Sequence, residues 1–288
     1  MPAGDMLRNA LLLQFEAGAD EAIAEAPIDR FAVRSPARPE QRVPPPTPPA
    51  RPSAPMRPGP APARVTRPPS PAALVTAETA LGAARAAAEG APTLADLRAA
   101  VEAFEGCALK ETATHTVFAD GAEGASAMFI GEAPGADEDR VGRPFVGVSG
   151  QLLDRMIAAI GLSRSLNAYI TNILFWRPPG NREPSSEEIA LCLPFVMRHI
   201  ELVRPKVLVF LGGPSAKTLL GRAEGITRLR GRWQDFRTQG MLERGEPPIA
   251  AMAMFHPAYL LRTPGAKREA WRDLMAIKAR LAETGAPG

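Results

Sequence analysis

The run PKVLVFLGGPSAKTLLG, residues 205–221, decides the fold. Lys206–Gly212 is apolar almost without interruption, which is the pattern of a strand buried on both faces rather than one with a wet side. The Gly212-Gly213 pair supplies a turn, and Pro214–Gly221 then repeats apolar positions at helical spacing. The same short apolar run recurs at Ala125–Gly131, Ala168–Ile173 and Ile249–Phe255. Helical patterns fall between and after them at Gly150–Ile160, Ser186–Val203 and Lys267–Ala282. Strands alternating with helices in this way predict an α/β fold, a three-layer αβα domain around a central four-stranded, mostly parallel sheet.

Outside that pattern the chain changes character. The N-terminal part divides into a short helix within residues 1–33, a Pro/Arg-rich linker over 34–72 and an Ala-rich helical lead-in over 73–104, ahead of a catalytic-sized domain at 105–284. Residues 6–26 repeat Leu7, Ala10, Leu11 and Phe15 at helical spacing. Fifteen of the 31 prolines lie between Arg34 and Pro71, a composition that cannot bury a core. Its arginines read either as a source of non-specific affinity for nucleic acid or as a soluble spacer. Thr93, after Pro92 and before Leu94, reads as a helix cap.

The formal charge of +3 is concentrated in that linker. It carries seven Arg against one Glu over residues 34–67, while residues 1–33 carry two Arg against six acids. The folded part is therefore nearly neutral, and charge alone does not make it a binder of nucleic acid. Two cysteines, Cys107 and Cys192, exclude a disulfide scaffold and suit a cytoplasmic protein. No stretch reads as a signal peptide or membrane span.

In open α/β sheets ligands bind beyond the carboxyl ends of the strands. The unusual residues of this chain fall there: Glu132 in Gly131–Gly135, Asn172 after Thr171, the glycines 212 and 213, and His256 after Phe255. A carboxylate, a carboxamide, a glycine turn and an imidazole thus share one rim, which points to a catalytic site.

Around these positions the sequence resembles family 4 of the uracil-DNA glycosylase superfamily. The matching segments are GEAPGADEDRVGRPFVGVSGQLLDRM from Gly131, YITNILFWRPPGNREP from Tyr169, PKVLVFLG from Pro205, RLRGRW from Arg228 and HPAYLLR from His256. The resemblance runs from about Cys107 to Leu274. It implies a DNA-repair enzyme that flips uracil out of DNA and hydrolyses its N-glycosidic bond, leaving an abasic site.

The resemblance also assigns roles. His256 donates a hydrogen bond to uracil O2 and stabilises the departing anion. Backbone N–H groups of the loop that carries Ala133 and Gly135 assist it. Phe145 stacks on the flipped base, and Asn172 accepts from uracil N3–H and donates to O4, whereas cytosine presents the inverse pattern. Family 1 enzymes carry a water-activating Asp and a thymine-excluding Tyr where this chain has Ala133 and Gly135, so those roles are not inherited. Glu132 and Glu138 are the candidates for positioning water and stabilising the sugar cation, their division left open, while Asp139 is a structural residue holding Arg143. Leu260 and Leu261 stand where the superfamily inserts a wedge into the base stack. Arg230, Arg262 and Lys267 meet phosphates.

Typical family 4 enzymes hold a 4Fe–4S cluster on four cysteines. Here Cys107 and Cys192 align with two ligands, and Phe104 and Trp176 stand at the other two. Two thiolates fall short of the four a cubane needs, which predicts no cluster and a hydrophobic plug instead. Covalent trapping on product, found in a related subgroup with a basic His-containing loop, is not expected of the short, His-free Arg177–Arg182 segment. Two rivals remain: a glycosylase for hypoxanthine or xanthine, and a non-catalytic DNA-binding module. Uracil-containing DNA is the expected partner, and a monomer the expected state.

Overall fold

The computed structural model describes residues 77–285, and the N-terminal helix and Pro/Arg-rich linker read from the sequence lie outside the described residues. By internal contacts the chain divides into units 1–67 and 68–288, and everything described belongs to the second. It opens with α1 (Ala77–Glu89) and α2 (Leu94–Ala103). The break between them is set by Thr93, whose side chain accepts from the Asp96 N–H as an N-cap. A single turn, α3 (Leu109–Thr112), leads to the sheet.

The sheet has six strands in the order β1-β3-β2-β4-β6-β5. The four strands expected from sequence are its parallel centre: β2 (Ala127–Gly131), β3 (Ala168–Asn172), β4 (Val207–Leu211) and β6 (Ile249–Met254). The expected count of four falls short because two antiparallel edge strands flank them. β1 (Asp120–Gly121) pairs with β3, and β5 (Trp233–Phe236) pairs with β6. The first spans two residues and the second is half-buried and polar in its middle, so neither produces the apolar run that marks the central strands.

Alternate residues of each central strand feed opposite cores. Met128, Ile130, Leu208, Phe210, Ala251 and Ala253 pack on one face against α1, α2 and α6 (Ser186–Val203), together with α7 (Gly213–Leu220), α8 (Ile226–Leu229) and α9 (Gln239–Glu243). Ala127, Phe129, Val207, Val209, Met252 and Met254 pack on the other. There they meet α5 (Val148–Ala158), α10 (Pro257–Arg262) and α11 (Lys267–Glu283). This is the three-layer αβα arrangement, with α4 (Ala136–Val141) set at the strand ends. Among the described residues no helix is long and apolar enough to cross a membrane.

Candidate active site

The chain reverses its direction of growth at β2. It passes from β2 to β3 on one side, then returns to build β4 and β6 on the other, so the carboxyl ends of the adjacent strands β2 and β4 open a crevice. A cleft of about 540 Å³ lies there. Its walls include the Glu132–Gly135 loop, Gly212 and Gly213, His256, Arg262 and the segment from Asn181 to Pro184.

Three of the expected residues converge beside it. Asn172 ends β3 almost fully buried, and its Oδ1 has no hydrogen-bond partner among the described residues. A Cβ on Gly131 would lie 2.3 Å from that oxygen and 2.7 Å from Cζ of Phe145, so only glycine lets both approach the end of β2. The Phe145 ring sits 5.5 Å from the His256 ring.

His256 is the N-cap of α10, and its Nδ1 accepts from the Ala258 N–H at 3.1 Å. An accepting Nδ1 puts the proton of the neutral ring on Nε2. Burial, and after it the Arg262 charge, pull its pKa from 6.5 down to about 4, so the ring is neutral at physiological pH.

Phe145 has φ of 55°, a left-handed conformation costly for a bulky side chain. Three contacts impose it. Glu138 accepts from the N–H groups of Val146 and Gly147 at 2.9 and 3.0 Å, and from that of Gly135 at 3.1 Å. Arg164 donates to the carbonyls of Pro144 and Phe145 at 2.7 and 2.6 Å while pairing with Asp120 and Asp154. Gly150 closes the gap from α5: a Cβ there would meet the Phe145 carbonyl oxygen at 1.9 Å.

These bonds revise several expectations. Both Glu138 oxygens accept from backbone N–H groups, so this carboxylate holds two loops together. The Gly135 N–H is spent on Glu138 and Pro134 has none, which leaves at most those of Glu132 and Ala133 to face a ligand. Asp139 does not hold Arg143: it accepts from Thr114 and from the His115 N–H, while Arg143 pairs with Asp120 at 2.7 Å.

Arg230 is turned inward against Asp273 in a two-pronged ion pair, donates to the Glu269 carbonyl and lies over the Phe255 ring, so it does not reach for phosphate. Leu260 is buried on the inner face of α10 and only Leu261, at 39% exposure, projects. Arg262 and Lys267 are exposed. Glu132 is half-buried at the cleft, and its carboxyl is pushed above the ordinary 4.5 by burial and, less, by Glu183. No signal in the sequence singled out Arg164, nor Tyr259, which lines the cleft with its ring tilted against Phe255 at 4.9 Å.

Residues 118–275 match the Uracil DNA glycosylase superfamily. The chain belongs to that superfamily. Three relatives carry the name type-4 uracil-DNA glycosylase. The protein of Archaeoglobus fulgidus is 39% identical, over 59% of this chain and 84% of its own length. That of Sulfurisphaera tokodaii is 37% identical over 60% and 77% respectively. That of Pyrobaculum aerophilum is 36% identical over 58% and 84%. The match agrees with the resemblance to family 4 drawn from the motifs.

The relatives overturn the expectation that the cofactor is absent. Type-4 uracil-DNA glycosylases are 4Fe–4S proteins, so the cluster belongs to the class that this superfamily member matches. Counting thiols at aligned positions measures what those positions supply, not which group the class carries. The residues present fit a cluster only in part. Cys107 and Cys192 are buried and hydrogen-bonded to each other, with Phe104 and Trp176 buried in the same core. Phe104 packs edge-on to Phe195, and the Trp176 indole N–H donates to Thr116. Among the described residues no group of three or more His, Cys, Asp or Glu is placed to hold a metal ion.

Gly150→Ala forces the Phe145 carbonyl away and should lower unfolding free energy by about 3 kcal/mol in denaturant titration. Arg230→Ala leaves Asp273 buried without a partner and should cost about 3–5 kcal/mol. Its affinity for DNA at fixed salt should stay near wild type, whereas a phosphate-binding arginine would show a shallower salt dependence on removal.

Proposed function

We propose that this protein excises uracil from DNA by hydrolysis, leaving an abasic site. The observation that carries the reading is the meeting of an unpartnered buried carboxamide oxygen, a strained aromatic ring and a neutral imidazole of fixed tautomer at one rim of the sheet. A flipped uracil lies on Phe145. Asn172 Oδ1 accepts from N3–H, and its amide donates to O4. Cytosine has no hydrogen at N3 and a donor at position 4, so it leaves the same oxygen buried and unsatisfied.

As the bond between sugar C1′ and uracil N1 breaks, its electron pair passes to the base and charge grows on O2. The Nε2–H of His256 points a donor at that charge, and a neutral ring does so without surrendering its proton. Glu132, as a carboxylate, stabilises the cationic sugar and orients the water that attacks C1′, taking the proton the water sheds. Glu138 acts on geometry alone, by holding the loops of Gly135 and Phe145 together. Leu261 enters the vacated stack, and Arg262 and Lys267 meet the phosphates. We read the enzyme as a cytoplasmic monomer, with residues 105–284 as the glycosylase domain behind a linker over 34–72.

The direct test is strand cleavage at a single labelled uracil after alkali treatment. Asn172→Ala and His256→Ala should each lose about 10²–10³ in rate. Breaks at hypoxanthine without breaks at uracil would replace the substrate, and a wild type silent on every damaged base would leave a DNA-binding module.

The pH profile separates the two polar residues. The acid limb of the wild type should follow the raised pKa of Glu132, above 4.5. In Glu132→Gln the residual rate should hold lower, down to about 4, where His256 takes its proton. Because the folded His256 lies below its ordinary 6.5, its contribution to stability is whole above that pH and is lost as pH falls toward 4. An unchanged limb in Glu132→Gln would remove Glu132 from the mechanism.

A further inference from the structure

A second groove of about 350 Å³ runs between α5 and α11 on the face that carries α10. Its floor is apolar, with Leu152, Met156 and Leu274, and Trp271 forms a wall while Arg155 and Lys267 stand along it. Trp271 is 48% exposed, in contrast to Trp176, which is buried. Arg155, Lys267, Arg268 and Arg272 are all exposed, and none has an ion pair among the described residues. The acids nearby are engaged or few: Asp154 pairs with Arg164, Asp273 with Arg230, and Glu269 is the single acid in the first turn of α11.

The spacing on α11 is informative. Lys267 and Trp271 share one face at i and i+4, and Arg268 and Arg272 share the next. Like charges at that spacing destabilise a helix slightly, and a large aromatic ring half in water contributes little to the core. Neither choice serves folding. Cations beside an exposed aromatic ring are what a single nucleic-acid strand needs, a stacking surface for a base and counter-charges for its phosphates.

The groove and the cleft are both lined by residues of α10. Leu260 of α10 lies in the groove, while His256 at the head of that helix and Arg262 at its tail line the cleft. A helix of six residues spans about 9 Å, the length of two or three stacked nucleotides at about 3.4 Å each. We propose that the α5–α11 groove is a second DNA subsite, in which Trp271 stacks on a base of the substrate strand flanking the flipped nucleotide and Arg155 and Lys267 hold its phosphates. This rests on the reading of the cleft as the uracil pocket.

The test uses the full-length chain and a uracil-free oligothymidylate strand, long enough to run past the cleft, titrated against tryptophan emission. The strand should quench the emission, and Trp271→Ala should abolish most of that quenching and weaken binding roughly five- to a hundred-fold. Trp271→Phe, which keeps a stacking face, should recover most of the affinity. Arg155→Ala, on the opposite wall, should weaken binding and make it less sensitive to salt, and it decides the matter if Trp271→Ala fails to fold.

Binding and quenching that survive unchanged in Trp271→Ala and Arg155→Ala overturn the subsite. So does a dimer of the wild type that Trp271→Ala dissociates while strand affinity stays constant, since the groove would then seat a second copy of the chain. Uracil excision is scored in parallel. A wild type that binds and quenches but excises no uracil contradicts the catalytic reading and leaves the subsite standing, whereas excision with unaltered variant binding does the reverse.

Discussion

The site depends on one buried carboxylate. Glu138 accepts three backbone N–H groups from two loops, at Gly135 and at Val146 and Gly147. Hydrogen bonds to a charged acceptor contribute about 1.5–3 kcal/mol each, enough to hold a neighbouring residue in a conformation it would not choose alone. That residue is Phe145. With Arg164 fixing its carbonyl and Gly150 making room for it, the ring is delivered to the end of β2, beside Asn172 and His256. The strain is thus offset by the scaffold before any ligand arrives, which is how a rigid pocket lowers the cost of gripping a ligand.

Electrostatics follow the same logic. The cap bond from Ala258 fixes which imidazole nitrogen carries the proton, and burial keeps the ring neutral. Asn172 keeps an acceptor free in a place where most buried oxygens are satisfied. Glu132 is half-buried, and burial, followed by the Glu183 charge, raises its carboxyl above its ordinary value. The donor, the acceptor and the carboxylate are therefore set by three local causes, a helix cap, a glycine gap and burial.

Much of this was legible in the sequence, for identifiable reasons. The four central strands are buried on both faces, so they appear as continuous apolar runs, and the rim residues follow from where those runs end. The edge strands were not legible, because Asp120–Gly121 is too short to show a period and Trp233–Phe236 is half polar. Side-chain direction was not legible either. Arg230 reads like a phosphate ligand until Asp273, 43 residues on, is seen to hold it. Leu260 and Leu261 are adjacent in sequence, and only the phase of α10 sends one into the core and the other outward. Glu138 fell among three consecutive acids, and nothing local tells a loop strut from a catalytic base. The cluster was misjudged because two missing thiols were given more weight than the class to which the sequence belongs.

The central claim is that the pocket is assembled in advance around a neutral imidazole that donates from Nε2. The chain has three histidines, so the ring nitrogens of His256 are resolvable by ¹⁵N NMR with His256→Gln as the assignment control. Nε2 should be protonated and Nδ1 unprotonated from neutral pH down to about 4, unchanged when uracil is added. A ring protonated on Nδ1, or an imidazolium present at pH 6, would contradict it.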